Sequence, residues 1–333
     1  MVLQQDSRPI QVAVIIPYFQ RERGILRRCL QSVLSQEIAF PLVIRIFVVD
    51  DCSPAPAVVE VEDLDVENFF EITVLRRSNG GPAAARNTGL DHLGSQVDYV
   101  AFLDSDDVWE PYHLRYALSA LKQGYDVFFS DFYHPGQTVT AFNRAGRITV
   151  SQHPIVDNYE PLHAFTGDMV VQITTGNIIG TSTVVYAFRK YRDIRFREDL
   201  VNAGEDYFFW LELSLRKTRF SFSSRPTCRY GYGVNIFSGA TWGTREALDR
   251  LQYEILYQKK MLSELPLPPQ SRRAVSRGLW DKRREFLANF AHLLRADKCK
   301  PIRLLHQIRS DPMMMAVIPS WLWSMMIYIL SRE

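Results

Sequence analysis

Two short β-branched runs, Gln11–Ile16 and Leu42–Val49, bracket a stripe of residues at three- and four-residue spacing: Ile25, Leu26, Cys29, Leu30, Val33 and Leu34. Strands that read as nearly continuous apolar runs are buried on both faces, which happens in parallel sheets whose crossovers are helices. The start of the chain is therefore committed to a βαβ unit. The alternation continues. Ile72–Leu75 predicts a third strand, and Gly81–Leu93 a helix opened by Gly-Gly-Pro with Pro82 suited to its first turn. Tyr99–Leu103 predicts a fourth strand, followed by a helix around Pro111–Lys122 and a strand at Asp126–Ser130. Together these make an α/β half.

Regular patterning weakens over 133–165, which reads as a long loop or insertion. It resumes with a strand at Thr183–Phe188 and a helix over Gly204–Lys217 carrying Phe208, Phe209, Leu211, Leu213 and Leu215. Pro-rich Leu265–Pro269 reads as a linker between a helix at about 244–263 and a further helical section.

Charge divides the chain unevenly. The net charge is only +2, yet Ser271–Ser310 holds eleven Lys or Arg against three acidic residues, so an acidic body precedes a basic C-terminal section. That section lacks the interleaved exposed aromatics and the recognisable module of nucleic-acid-binding proteins, and nucleic acid is not an expected partner. Beyond it, Met313–Leu330 carries no charge but includes Pro319 and is short for a bilayer span. An apolar segment beside a basic stretch predicts a shallow helix on an anionic membrane surface; packing onto the protein is the other reading. No secretory start is present, so the expected location is cytoplasmic, peripheral on the inner face of the membrane. Cys29, Cys52, Cys228 and Cys299 show no metal or disulfide spacing and are expected as free thiols. The seven histidines show no ligand spacing either and are expected on the surface or in loops.

In a parallel sheet, ligands bind beyond the C-terminal ends of the strands, and the polar clusters fall there. The first strand ends in Pro17-Tyr18, the second in Asp50-Asp51-Cys52-Ser53, and the fourth in Asp104-Ser105-Asp106-Asp107. After the third comes a loop through Arg77, Asn79, Gly80 and Gly81 to Arg86. Carboxylates as closely spaced as Asp104, Asp106 and Asp107 repel one another unless a cation sits among them, which points to a divalent metal and a phosphate-bearing substrate.

In this order, Ile-Ile-Pro-Tyr, Val-Val-Asp-Asp-Cys-Ser, Asn-Gly-Gly-Pro-Ala-Ala-Ala-Arg-Asn-Thr-Gly, Phe-Leu-Asp-Ser-Asp-Asp and Gly-Glu-Asp resemble the family 2 inverting glycosyltransferases over residues 11–215. The resemblance implies an α/β GT-A nucleotide-sugar-binding fold, a Rossmann-like, mostly parallel sheet flanked by helices, with a helical C-terminal extension. The catalytic domain would cover 1–245, with a nucleotide-binding half at about 10–131 and an acceptor half at about 132–245. The basic extension with its apolar tail would cover 246–333.

The resemblance also implies roles. Pro17 and Tyr18 would border the nucleobase, Asp51 would accept from the uracil N–H, and Asp50 would serve the nucleoside or the loop. Asn79 and Gly81 would let the backbone approach the donor. Arg86 would reach the nucleotide or diphosphate, or else form a buried ion pair with a carboxylate of the acidic turn. Asp104 and Ser105 would contact the donor, with Asp106 and Asp104 holding Mn²⁺ or Mg²⁺ on the diphosphate. Asp206 would be the base that deprotonates the acceptor hydroxyl, helped by Glu205; acidic residues in a first helical turn also simply favour the helix dipole. The substrates implied are a nucleoside-diphosphate sugar, UDP foremost, and a glycan or lipid-linked acceptor of polysaccharide synthesis.

The sequence departs from the family in one place. Where relatives carry Arg-x-His near the metal, Cys228–Asn235 has no His, which leaves the third metal ligand to Tyr232 or water. The Gly-rich stretch through Gly243 is expected to close over the donor with Trp242. Two other readings are an inactive nucleotide-binding scaffold and a sugar nucleotidyltransferase; the latter needs a Gly-rich basic loop after the first strand, which is missing.

Overall fold

The computed structural model describes residues 8–37, 39–62, 64, 66–67, 69–233 and 240–318. The chain divides into two compact units, Met1–Val201 with Phe209–Val234, and Asn202–Phe208 with Asn235–Glu333.

The first unit is built on one sheet. In chain order its strands are β1 (Ile10–Tyr18), β2 (Leu42–Asp50), β3 (Phe70–Arg76), β4 (Tyr99–Phe102), β5 (Val108–Trp109), β6 (Val127–Tyr133), β7 (Leu162–Ala164), β8 (Val185–Ala187) and β9 (Phe220–Arg229). They lie in the order β3-β2-β1-β4-β8-β6-β9-β5, with β7 added against β9. Strands β3, β2, β1 and β4 run parallel, and β8 turns the sheet antiparallel by pairing with both β4 and β6. The helices before α7 are α1 (Ile25–Leu34), α2 (Val58–Val61), α3 (Gly81–Asp91), α4 (His113–Lys122), α5 (Ala141–Ala145) and α6 (Met169–Gly176).

Period-two alternation along the strands separates two cores. One buries Val12, Val14 and Ile16 of β1 against Leu26, Cys29, Leu30 and Val33 of α1, together with Ala101, Leu103, Leu114 and Phe128. The other is aromatic: Phe102 meets Phe196 and Phe209 edge-on, and Phe196 stacks on Phe209 at 4.3 Å between centroids. Each buried side chain of this size contributes roughly 1.5–3 kcal/mol of transfer free energy, so the central strands are anchored from both faces.

The second unit is helical. Helix α7 (Glu205–Leu215) begins in its short segment, followed by α8 (Arg245–Glu264), α9 (Pro269–Arg295) and α10 (Ile302–Ser310). Thr244 caps α8 by accepting from the Ala247 N–H, and Pro269 sits in the first turn of α9. Leu248, Leu251 and Ile255 pack against Leu279, Phe286, Phe290 and Leu293, with Met314 and Val317 closing the cluster. Arg283 and Asp311 form a buried two-pronged ion pair at 2.7 and 2.9 Å. Removing one partner of such a pair costs about 3–5 kcal/mol.

Several expectations need correction. The 133–165 segment contains α5, a 3₁₀ turn at Val150–Gln152 and strand β7, whose place is set by pairing Leu162 with Ser223 of β9. The Leu265–Pro269 stretch links α8 to α9 as expected, as a short turn with Leu267 buried. His113 and His163 are buried, not on the surface. The apolar tail lies partly outside the described residues; within them, Met314 and Val317 are packed in the helical core. All four cysteines are free. Among the described residues no helix is long and apolar enough to cross a membrane.

Candidate active site

The ends of β1, β2 and β4 are tied together by side chains that leave the sheet there. The Asp51 N–H donates to the Tyr18 carbonyl at 2.9 Å, extending the β1–β2 ladder by one bond. Gln20, just past β1, exchanges hydrogen bonds with Ser53: its N–H donates to Oγ at 2.7 Å and the Ser53 hydroxyl returns to its carbonyl at 2.8 Å. Its side-chain amide reaches Ser105 Oγ at 3.1 Å. Gln20 thus joins all three loops, and the sequence did not mark it.

Asp50 and Asp51 divide the work at the β2 tip. Asp50 is buried and accepts from the N–H groups of Ser53 (2.8 Å) and Ala57 (2.9 Å), so it shapes the loop. Asp51 accepts from the Gly81 N–H at 2.7 Å, from the Gly80 N–H through both oxygens at 3.0 and 3.1 Å, and from Arg77 at 2.8 Å. Asn79 donates to the Asp51 carbonyl at 3.0 Å. Gly81 needs its lack of a side chain for backbone reasons, since its φ is +85°. Tyr18 is fully buried with its hydroxyl on Glu60 at 3.2 Å, and burial together with that carboxylate holds the phenol protonated. Pro17 is half-buried and pairs with Val49, one position before the end of the β1–β2 ladder.

The β4 tip is electrostatically different. Arg86 is buried under its own helix, lies over the Phe196 ring and donates to Asp104 at 2.7 Å. The ion pair considered from sequence is therefore present. Asp104 keeps a third of its side chain exposed. Asp106 is pushed above the usual carboxylate range by burial first and by the Asp104 charge second. Asp107 is pushed further, by burial and then by Asp104 and Asp106. Its oxygens accept from Ser182 Oγ at 2.5 Å and from the Gly231 N–H at 2.9 Å, so it clamps the turn. Ser182 also accepts from the Asp104 N–H at 3.0 Å, and its carbonyl accepts from the Trp109 indole at 2.6 Å. Trp109 stacks on His113 beneath the loop at 4.3 Å. His113 is buried against Thr227 Oγ1 at 2.7 Å, and desolvation lowers it to about 3.

The segment lacking the expected histidine meets this turn through glycine. A Cβ on Gly231 would stand 1.8 Å from the Asp106 carbonyl oxygen, and one on Gly233 would stand 2.5 Å from the Asp106 carboxyl carbon. Tyr232 between them is 78% exposed, and a Cβ on Gly136 would stand 2.8 Å from its hydroxyl.

Glu205 and Asp206 open α7 in the segment grouped with the second unit. Gly204 before them has φ +90°, and a Cβ there would meet the Tyr257 ring at 2.5 Å, so this Gly-Glu-Asp turn requires its glycine twice over. The Tyr207 and Tyr257 rings lie 5.6 Å apart. Asp206 accepts from the Tyr207 N–H at 2.8 Å. Trp242 rests on His292 of α9 at 4.4 Å, and the Gly243 N–H donates to Asn289 at 2.8 Å. Residues 234–239, which belong to the expected closing segment, lie outside the described residues.

A hard cation that is held partly by a substrate's phosphates needs only one or two protein carboxylates. Asp104 and Asp106 meet that requirement, in a turn where excess negative charge already raises carboxyl pKa values. Among the described residues no cluster of three or more His, Cys, Asp or Glu forms a ready-made cage. The donor set fits a metal shared with diphosphate and not one held by protein alone.

A parallel-to-antiparallel sheet with acidic strand tips is the GT-A architecture of nucleotide-sugar transferases, and solved structures agree. TarS of S. aureus in complex with UDP-GlcNAc aligns over 93% of this chain and 82% of its own, at 19% identity and a TM-score of 0.57. A mannosyltransferase from Pyrobaculum calidifontis with GDP-Man and Mn²⁺ aligns over 96% and 88%, at 16% identity and a TM-score of 0.55. The chain belongs to glycosyl transferase family 2, whose family model matches residues 13–191. It is 35% identical to the succinoglycan biosynthesis protein ExoW of Rhizobium meliloti over 68% of this chain and 70% of that one. It is 27% identical to the minor teichoic acid biosynthesis protein GgaA of Bacillus subtilis over 62% of this chain but 44% of that longer one. The protein is thus a glycosyltransferase akin to enzymes of polysaccharide synthesis.

Proposed function

We propose that this enzyme transfers a sugar, with inversion, from a UDP-sugar to a hydroxyl of a glycan or lipid-linked acceptor during cell-surface polysaccharide synthesis. The observation that carries the reading is the pair of acidic strand tips joined through Gln20, one a finished hydrogen-bonded cradle and the other carrying surplus negative charge. Asp51, whose oxygens are held by Gly80, Gly81 and Arg77, would share them with the uracil N–H. Asn79 and Gly81 keep the backbone low beside the donor, and Pro17 borders the base. Tyr18 supports from beneath, through its carbonyl. Asp104 and Ser105 lie where the ribose would sit, and Arg86 holds Asp104 in place.

Asp104 and Asp106 would hold Mn²⁺ or Mg²⁺ against the diphosphate, and the metal, when bound, neutralises the charge that develops on the leaving group. The reaction breaks the anomeric carbon–oxygen bond, the electron pair staying with UDP. The acceptor oxygen attacks from the opposite side. Asp206 takes the hydroxyl proton on its carboxylate as the new bond forms, with Glu205 orienting the acceptor. We place the enzyme at the cytoplasmic face of an anionic membrane, where a lipid-linked acceptor would be reached.

A panel of UDP-, GDP- and TDP-sugars assayed for Mn²⁺-dependent turnover tests this reading. UDP-sugars should be consumed and the anomeric configuration of the product should be inverted. Asp206→Asn should abolish transfer while UDP binding persists. Metal-independent turnover, or product of retained configuration, would contradict it.

A further inference from the structure

We infer that the outward face of α10 and the turn after it form the surface that docks this protein on an anionic phospholipid bilayer. The inference deepens the membrane placement proposed above and rests on it.

Helix α10 turns Leu304, Gln307 and Ile308 toward the helical core, where Gln307 is buried and the two aliphatic residues pack on the apolar cluster. The opposite face, at spacings of three and four residues, is Ile302, Leu305, His306 and Arg309. Ile302 is 50% and Leu305 59% exposed. Past the helix, Met314 and Val317 are buried while Met313 and Met315 are more than half exposed. A helix packed on a soluble core ordinarily turns polar residues outward. Here the apolar side chains exceed what core packing uses, and grouped exposed apolar residues mark an interaction site.

The charge around them selects the partner. Arg295, Lys298, Lys300 and Arg309 are exposed in the same stretch, against Asp297 as the exposed acid. Asp311 is buried in its pair with Arg283 and contributes no outward field. A partner that is both anionic and able to receive aliphatic side chains is a layer of phospholipid headgroups over acyl chains. Nucleic acid would use the cations and leave the aliphatics idle. The face is also prevented from rolling: Arg303 pairs with Asp249 of α8, and Lys259 of α8 donates to the Ser310 carbonyl at 2.7 Å. At nine residues α10 is too short to span a bilayer and would lie in its plane.

The test is sedimentation of the full chain with phosphatidylcholine vesicles and with vesicles in which roughly a third of the lipid is phosphatidylglycerol, at low and high salt. The protein should pellet with the anionic vesicles and be released by salt. The double variant Ile302→Glu with Leu305→Glu should lower partitioning about tenfold or more, and Lys298→Glu with Lys300→Glu by a similar factor. Met313→Ser with Met315→Ser offers a milder version that keeps every charge. In each variant, the melting shift given by UDP plus Mn²⁺ should match wild type, so that a failure of docking is separate from a failure of the catalytic reading. Undiminished pelleting of the Ile302/Leu305 variant would overturn the proposal. So would equal binding to neutral vesicles, or tight binding of duplex DNA that depends on Lys298 and Lys300 but not on Leu305.

Discussion

The tips of β2 and β4 carry the same kind of residue and do opposite things with it. At β2, Asp50 and Asp51 are buried, yet five backbone N–H contacts and Arg77 engage their oxygens within the loop. At β4, Asp104 has Arg86, but Asp106 is driven toward protonation by burial and the Asp104 charge, and Asp107 by burial and the charges of Asp104 and Asp106. Acidic residues at a strand end are therefore not equivalent evidence of a metal. A carboxylate already surrounded by N–H donors gives no call for a cation, whereas a turn left with surplus negative charge is where the proposed metal would sit.

The largest expected effect separates these two tips by activity. Asp106→Ala should reduce sugar transfer about 100-fold or more at saturating metal, with little loss of thermal stability because it removes a like-charged neighbour of Asp107. Comparable activity in the variant and wild type, measured as initial rates across a Mn²⁺ titration, would erase the distinction.

The next effect lies behind the β4 tip, where His113 supports Trp109. Its native pKa is depressed to about 3 from an ordinary 6.5. Between those values the unfolded chain binds a proton that the native state refuses, so stability is full above pH 6.5 and declines as pH falls toward 3. The loss should reach about 3 kcal/mol by pH 4. Urea denaturation of wild type and His113→Gln should show that this slope shrinks in the variant; parallel slopes would remove His113 as its source.

Asp50→Ala probes the β2 tip in the opposite sense. It orphans the Ser53 and Ala57 amides and should cost about 2 kcal/mol, read from the urea midpoint, while the folded fraction retains most of its metal-dependent turnover. If activity vanished with stability intact, Asp50 would belong to the chemistry. The smallest perturbation is Gly233→Ala, whose added carbon would displace the Asp106 carboxylate. It should lower turnover about tenfold and change stability by well under what Asp50→Ala does.

These contrasts also mark what could be read in the sequence. The β1–α1–β2 unit was legible because its signal is local: apolar runs and a helical stripe within one window. The acidic tips and the Gly-Gly-Pro turn were legible because special residues fall at the ends of those runs. Gln20, Ser182 and Glu60 were not, since their partners lie between 33 and 85 positions away and only the folded register supplies them. Strand β7 escaped for the same reason, being defined by its pairing with β9 and not by any pattern of its own. His113 looked like any other lone histidine. Its burial depends on Thr227, 114 residues distant. Gly231 and Gly233 were visible as glycines, but nothing local said that Asp106 leaves no room for a side chain.

The most direct measurement of the central claim is the melting shift produced by UDP alone, Mn²⁺ alone and both together, on wild type and on Asp106→Ala. A metal shared between the acidic turn and the diphosphate predicts a large stabilisation only when both are present, lost in the variant, with ligand at a hundred times its dissociation constant worth about 2.7 kcal/mol. A full shift with UDP alone, or one that survives removal of the Asp106 carboxylate, would contradict the claim.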